Sequence, residues 1–199
     1  MIKNKNSPNK KAYDMVQQQV KNGQILLAEP FMADPHFRRA AILLCEHGEE
    51  GSVGFIMNKP LDMRVDELVD PFPEFDSTVF FGGPVQTDSI HYLHTKGDLI
   101  EGSRKVANGV YWGGEFEQLK ALINSELIQP RDIRFFVGYS GWSERQLDGE
   151  MEIGSWIVAN MYANYLFKST PGKVWQEAMR NKGDVYTVIA QMPEVTIWN

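Results

Sequence analysis

The stretch 23–60 reads GQILLAEPFMADPHFRRAAILLCEHGEEGSVGFIMNKP, three apolar segments divided by short polar ones. The second and third, AAILLC and SVGFIMN, flank Gly48-Glu49-Glu50-Gly51, which reads as the connection of a β-hairpin. Pairing His47 with Ser52 across that loop sets Cys45 opposite Gly54, Leu43 opposite Ile56 and Ala41 opposite Asn58. Two-residue alternation then gathers Arg39, Ala41, Leu43, Cys45 and His47 on one face with Gly54, Ile56 and Asn58. The other face, carrying Ala40, Ile42, Leu44, Val53, Phe55 and Met57, is also apolar. The hairpin is therefore expected inside the protein with cover on both sides.

Around this centre the pattern predicts a short helix over 12–21, a strand over 24–29 stopped by Pro30, and a loop over 31–38 turning at Asp34-Pro35. A short helix is expected over 64–69 with Asp62 as its N-cap. Strands follow over 78–81 and 89–95, with a weaker one over 105–111. From Glu115 the period changes to that of a helix, with Phe116, Leu119, Leu122 and Ile123 on one side. The segment 133–139 is the most hydrophobic strand of the second half. Helices over 144–150 and 173–180 and a strand over 156–159 complete the chain. Val174, Trp175 and Ala178 face inward in the late helix, as core or as a modest self-association surface. Without a regular βαβ beat, the fold class is α+β in a single compact domain over 12–199. Residues 1–11, rich in Lys and Asn, are expected to form a disordered basic leader.

Composition adds little to the fold and more to the partners. The chain of 199 residues is 43% hydrophobic and 23% charged, ordinary for a globular protein. No apolar run reaches the roughly 18 residues of a membrane span, so no membrane insertion is expected. Absence of a signal-peptide pattern points to the cytoplasm. Four lysines and no acid fall in residues 1–11, so the remainder sets 16 basic against 26 acidic residues, a net of −10. Such a body is a poor counter-charge for phosphate backbone. No helix-turn-helix or zinc-finger spacing is present, so specific DNA binding is not expected. The lone Cys45, on an apolar strand, reads as a buried small hydrophobe rather than a nucleophile.

The sequence offers residues for three chemistries. Gly138-Tyr139-Ser140-Gly141-Trp142 follows a hydrophobic strand as a nucleophile elbow does, but Trp142 stands where the last glycine of G-x-S-x-G belongs. The bland alternative is a turn whose Ser140 hydroxyl satisfies backbone and whose Trp142 packs on the core. Four histidines, His36, His47, His91 and His94, invite a metal reading, yet strand alternation sends His91 and His94 to opposite faces. No metal or cofactor is expected, and solvent-facing or hydrogen-bonded histidines fit better. Gly82-Gly83-Pro84 and Trp112-Gly113-Gly114-Glu115 offer backbone N–H groups to an anion but lack any nucleotide-loop frame, so ordinary turns are favoured.

Taken together, Asp34-Pro35-His36-Phe37-Arg38-Arg39, then His47 with Gly51, Gly54 and Asn58-Lys59-Pro60, then Gly82-Gly83-Pro84-Val85, and finally Gly138-Tyr139-Ser140-Gly141-Trp142 with Gln146-Leu147 and Glu150 resemble the AlgH-like family of bacterial proteins. The resemblance runs from Gly23 to the late helix. It implies a strongly bent mixed sheet, a pseudo-barrel, with flanking helices. It also brings the name of a transcriptional regulator, to be read as an indirect role, and no particular substrate. The expected function is non-catalytic binding or regulation through a protein or small-molecule partner; the alternative is a hydrolase-like or transferase-like enzyme using Ser140 or His47.

The candidate ligand-binding residues are Asp34, Arg39, His47, Asn58, Ser140, Trp142 and Glu150. A guanidinium entering an apolar face requires an acceptor. Asp34 is the first candidate partner of Arg39, and Glu150, grouped with it by the resemblance, the second. Either this network pins the loop 31–38 to the hairpin, or one edge stays open with Arg39 as anion contact and Asn58 as orienting amide.

Overall fold

A computed structural model describes residues 20–193. The leader and most of the helix expected over 12–21 lie outside the described residues. Ten strands form the sheet: β1 (Gln24–Ala28), β2 (Ala41–Gly48), β3 (Gly51–Ile56), β4 (Pro60–Arg64), β5 (Thr78–Phe81), β6 (Val85–His94), β7 (Arg104–Ala107), β8 (Val110–Trp112), β9 (Ile133–Trp142) and β10 (Trp156–Asn160). The helices are α1 (Val65–Leu68), α2 (Phe116–Asn124), α3 (Gln146–Glu152), α4 (Ala163–Phe167), α5 (Val174–Arg180) and α6 (Asp184–Ala190). The architecture is α+β, a mixed sheet with flanking helices.

The strand order is β10-β1-β2-β3-β9-β6-β8-β7, and among the described residues no ladder joins the two edge strands to close it. Strand β9 carries the sheet. Its first half pairs parallel with β5 on one side and antiparallel with β6 on the other, while its end, Ser140 to Trp142, pairs with β3. The change of neighbour falls at Gly138, whose φ is +64° and where a Cβ would stand 2.5 Å from the Gly83 carbonyl oxygen. A side chain there would meet backbone, so glycine is required for β9 to switch partners. Gly82 serves the same close approach from the opposite strand, since its Cβ would lie 2.2 Å from the Gly138 oxygen. Gly82-Gly83 thus packs against β9.

The hairpin turns at Glu49-Glu50 and pairs His47 with Ser52, as the pattern predicts. Beyond that pair the expected register fails. Leu44 faces Gly54, Leu43 faces Phe55 and Ile42 faces Ile56, because Cys45 is an extra residue between Leu44 and Glu46. A bulge of one residue moves the rest of the strand by one position, so Ala41, Leu43 and Cys45 share their core with Phe55 and Met57, not with Gly54 and Ile56. Cover on both sides does hold. One face packs under Tyr165, Leu166, Val174, Trp175 and Ala178 of the C-terminal helices, and the other, with Ile42, Leu44 and Ile56, meets Trp142, Leu147 and Trp156. The α5 stripe of Val174, Trp175 and Ala178 is therefore core. A third cluster holds the α2 residues Leu119 and Ile123 against Phe135 and Tyr92.

Other departures have local causes. The weak strand over 105–111 is a tight hairpin, β7 to β8, turning at Asn108-Gly109 with Gly109 at φ +71°. The helix α1 is capped from within: Glu67 accepts the Arg64 backbone N–H at 2.9 Å, and Asp62 lies back in β4. The expected helix over 144–150 is displaced to Gln146–Glu152, and two helices, α4 and α6, carried too short a periodic signal to be foreseen.

Candidate functional site

The loop 31–38 turns on backbone bonds from Phe37 and Arg38 to the Asp34 carbonyl and delivers Arg39 to the start of β2 in the left-handed region, at φ +50°. A non-glycine residue there is costly and persists only where its surroundings fix it. Asn58 does so. Its Nδ2 donates to the Arg39 carbonyl at 2.8 Å and its Oδ1 accepts the Ala41 N–H at 2.9 Å, so one amide spans the backbone on both sides of the strained linkage. The neighbouring Lys59 ammonium donates to the Pro35 and His36 carbonyls at 2.9 and 2.6 Å. The Asp34 to Arg39 and Asn58 to Pro60 motifs are thus one structural unit, tied through backbone.

That arrangement corrects the expected partners of Arg39. The Asp34 carboxylate is turned to its own loop, accepting the His36 N–H at 2.8 Å and lying 3.1 Å from the His36 ring Nδ1. The Arg39 guanidinium instead lies over the Trp175 ring, 4.6 Å from its centroid, and its Nη2 donates to the Met192 carbonyl. Trp175 is a rigid floor, fully buried and anchored by its own indole N–H to the Ala28 carbonyl at 2.9 Å. The Arg39 Nε is buried and has no hydrogen-bond partner among the described residues. Around it opens a cleft of about 390 Å³ lined by Arg38, Arg39, Asn58, Lys59, Gln176 and the segment 191–193, with no carboxylate among the described lining residues.

Glu150 works elsewhere. Its Oε2 accepts the indole N–H of Trp142 at 2.9 Å and of Trp156 at 2.7 Å, while Oε1 accepts from Gln146 at 2.9 Å. The two indoles meet edge to face at 5.8 Å, and Phe37 packs edge-on against Trp156. This carboxylate is saturated by donors and joins β9, α3 and β10 from below the loop; it is a clasp rather than an open site. Arg39 and Asn58 are therefore brought together, and Trp142 and Glu150 are brought together, in two separate clusters.

The other candidates lie apart from both. Ser140 has no exposed surface, and its Oγ donates to the Gly82 carbonyl at 3.0 Å; the hydroxyl satisfies backbone as expected, but within strand β9 paired to β3 rather than in a turn, because β9 runs on through Gly138 to Trp142. His47 sits at the hairpin tip with its Nδ1 2.8 Å from the Oγ of Ser52, a residue only 5% exposed. His91 and His94 take opposite faces. His91 packs on Phe55, Trp112 and Tyr139 with its Nε2 3.1 Å from the Ser89 Oγ. His94 is fully buried, its Nε2 bonded to the Gly113 carbonyl at 2.9 Å and its Nδ1 accepting the Lys96 N–H at 3.2 Å, which fixes a neutral Nε2–H imidazole. Burial holds both rings below the usual histidine range. Burial also pushes the Cys45 thiol up, so it stays protonated and unreactive. No group of three or more His, Cys, Asp or Glu poised for a metal ion occurs among the described residues.

Sequence reasoning missed Trp175 as the floor of the cleft, because its helix stripe read as core, and missed the Met192 carbonyl, which no side-chain pattern encodes. Arg38 and Lys59 were visible only as parts of motifs. Arg134 was not singled out either; it lies half-buried over the Phe80 ring at 4.1 Å, where burial pushes its pKa down to about 10.

Comparison with known proteins places this geometry. A UPF0301 protein of Chlorobaculum tepidum is 45% identical over 88% of this chain and 94% of its own length. A UPF0301 protein of Cytophaga hutchinsonii is 37% identical over 86% and 94%. Among solved structures, a Corynebacterium diphtheriae protein superposes with a TM-score of 0.75 at 23% identity, covering 90% of this chain and 96% of that one. The AlgH protein of Pseudomonas aeruginosa does so with 0.68 at 25% identity, covering 90% and 99%. The AlgH-like family profile matches residues 25–187, which spans the hairpin, Arg39 with Asn58, the Trp142–Glu150 cluster and α5, and the chain belongs to that family.

Proposed function

We propose that this protein is a non-catalytic binding protein whose ligand is a small molecule carrying an oxyanion, held in the cleft of Arg38, Arg39, Asn58 and Lys59. The observation that carries the reading is the Arg39 guanidinium: its Nε is buried without an acceptor in a cleft whose described lining offers cations and amides and no carboxylate. An unpaired buried donor costs about 1–3 kcal/mol, more on a charged group, and an anionic ligand removes that cost. The two accounts weighed from sequence, structural pin and ligand site, divide between different atoms. Asn58 and Lys59 pin the loop through backbone carbonyls, and the Arg39 side chain, with no carboxylate partner among the described residues, is left for the ligand.

The hydrolase alternative loses Ser140, whose buried hydroxyl is spent on the Gly82 carbonyl within strand β9. Regulation, as the family name suggests it, runs in this reading through the bound metabolite or a protein partner and not through duplex DNA, for which the acidic body is ill suited. In this reading the sheet follows a bent, pseudo-barrel course, and the start of β2, α5 and the segment after α6 line one cleft. No described helix is long and apolar enough to cross a membrane.

A thermal-melting screen tests the reading. Carboxylate and phosphate metabolites are compared with their uncharged amide or ester analogues, for wild type and Arg39→Lys. At least one oxyanion should raise the melting temperature by several degrees in wild type only. Equal shifts from the uncharged analogues, or an equal response in the variant, would count against an oxyanion site at Arg39.

A further inference from the structure

The Arg39 guanidinium presents Nε and Nη2 along one edge, the pair of parallel donors that matches two oxygens of a carboxylate or phosphate. Among the described residues that edge meets one neutral oxygen: Nη2 donates to the Met192 carbonyl, and the buried Nε has no acceptor. The guanidinium plane is set by the Trp175 ring beneath it, and its backbone is clamped by Asn58. The donor edge is therefore fixed, and whatever adapts to a ligand is the acceptor side. That side is the segment 191–193, which follows α6 and lines the cleft. It is anchored by single-turn bonds, Gln191 to the Val188 carbonyl and Met192 to the Ile189 carbonyl, both 3.1 Å. Val185 and Val188 leave one side of α6 exposed while Ala190 is buried on the core side, and beyond Ala190 the segment 191–193 is itself exposed.

We propose that a ligand oxyanion binds side-on to Nε and Nη2 of Arg39 by displacing the Met192 carbonyl, so that segment 191–193 is a strap that opens when the cleft is filled. Charge-assisted fork bonds are roughly twice as strong as a neutral one, and the exchange also satisfies the orphan Nε. The inference rests on the oxyanion reading and adds to it the position of the anion and a moving part. A carboxylate and a phosphate share this chemistry, and the strap responds to either.

Hydrogen exchange of the full chain decides it, with inorganic phosphate in one arm, citrate in another, and chloride at matched ionic strength as control. Either anion should slow exchange in the peptide over 38–41 and speed it several-fold in the peptide over 185–193, and both changes should vanish in Arg39→Lys and Arg39→Gln. The arm that responds identifies the ligand class. Protection at 38–41 that depends on Arg39, with unchanged exchange at 185–193, overturns the strap and leaves the oxyanion site standing. No Arg39-dependent protection in either arm overturns both.

Discussion

Asn58 completes the ladder that β3 leaves unfinished beside Arg39: its side-chain amide donates to the Arg39 carbonyl at 2.8 Å and accepts the Ala41 N–H at 2.9 Å, standing in for a strand residue. Because both partners are main-chain groups, the amide holds a strained backbone rather than a side chain. Asn58→Ala should cost roughly 1–3 kcal/mol in urea denaturation, the loss of two bonds to partly buried groups. Asn58→Asp keeps the acceptor for Ala41 but turns an oxygen on the Arg39 carbonyl, so it should also destabilise. An unchanged midpoint in both variants would mean that the Arg39 backbone is held by something else.

The buried Ser140 hydroxyl makes a separate claim. It shares the Gly82 carbonyl with the Ile56 N–H, so Ser140→Ala leaves that oxygen one partner and should cost only about 0.5–1.5 kcal/mol. A fluorophosphonate probe should leave Ser140 unmodified in the folded protein. Stoichiometric labelling at Ser140 would restore the hydrolase reading.

His94 sets a pH dependence whose sign follows from its burial. The folded-state pKa lies below the usual value of 6.5 because burial disfavours the imidazolium, so the unfolded chain takes up the proton first as pH falls. The contribution is present above 6.5 and is lost as pH drops below it toward the folded pKa. The slope is at most about 1.4 kcal/mol per pH unit for one proton. His91 shifts in the same direction and adds to it. Denaturation curves between pH 7.5 and 5.5 should show wild type losing more stability than His94→Gln over that interval. Parallel losses in the two proteins would contradict the assignment.

What the chain discloses about itself divides along physical lines. Alternation and turn residues made the central hairpin, the β5 strand and α5 legible, because each rests on a local period. The bulge at Cys45 was invisible: nothing in AILLCEH distinguishes an extra residue from a paired one, and only the packing of Leu43 on Phe55 selects the register. The site was half legible. The inferred register puts Arg39 and Asn58 on one face, and they do meet, although through the Arg39 backbone carbonyl and not its side chain. Asp34 and Glu150 were proposed as charge partners on the principle that a buried guanidinium needs one. The structure supplies an indole face and a carbonyl instead, groups that any sequence offers in quantity and no motif marks.

The Arg39 Nε–H proton reports most directly on whether the cleft is an oxyanion site. In a ¹H–¹⁵N correlation spectrum of the full chain, assigned through loss of the signal in Arg39→Lys, that resonance should move downfield and exchange more slowly as phosphate or citrate is added at constant ionic strength. The Arg104 Nε–H, whose guanidinium stacks on Trp112 outside the cleft, should not follow. An Arg39 resonance that stays in place through the titration, or moves only in step with Arg104, would contradict the account.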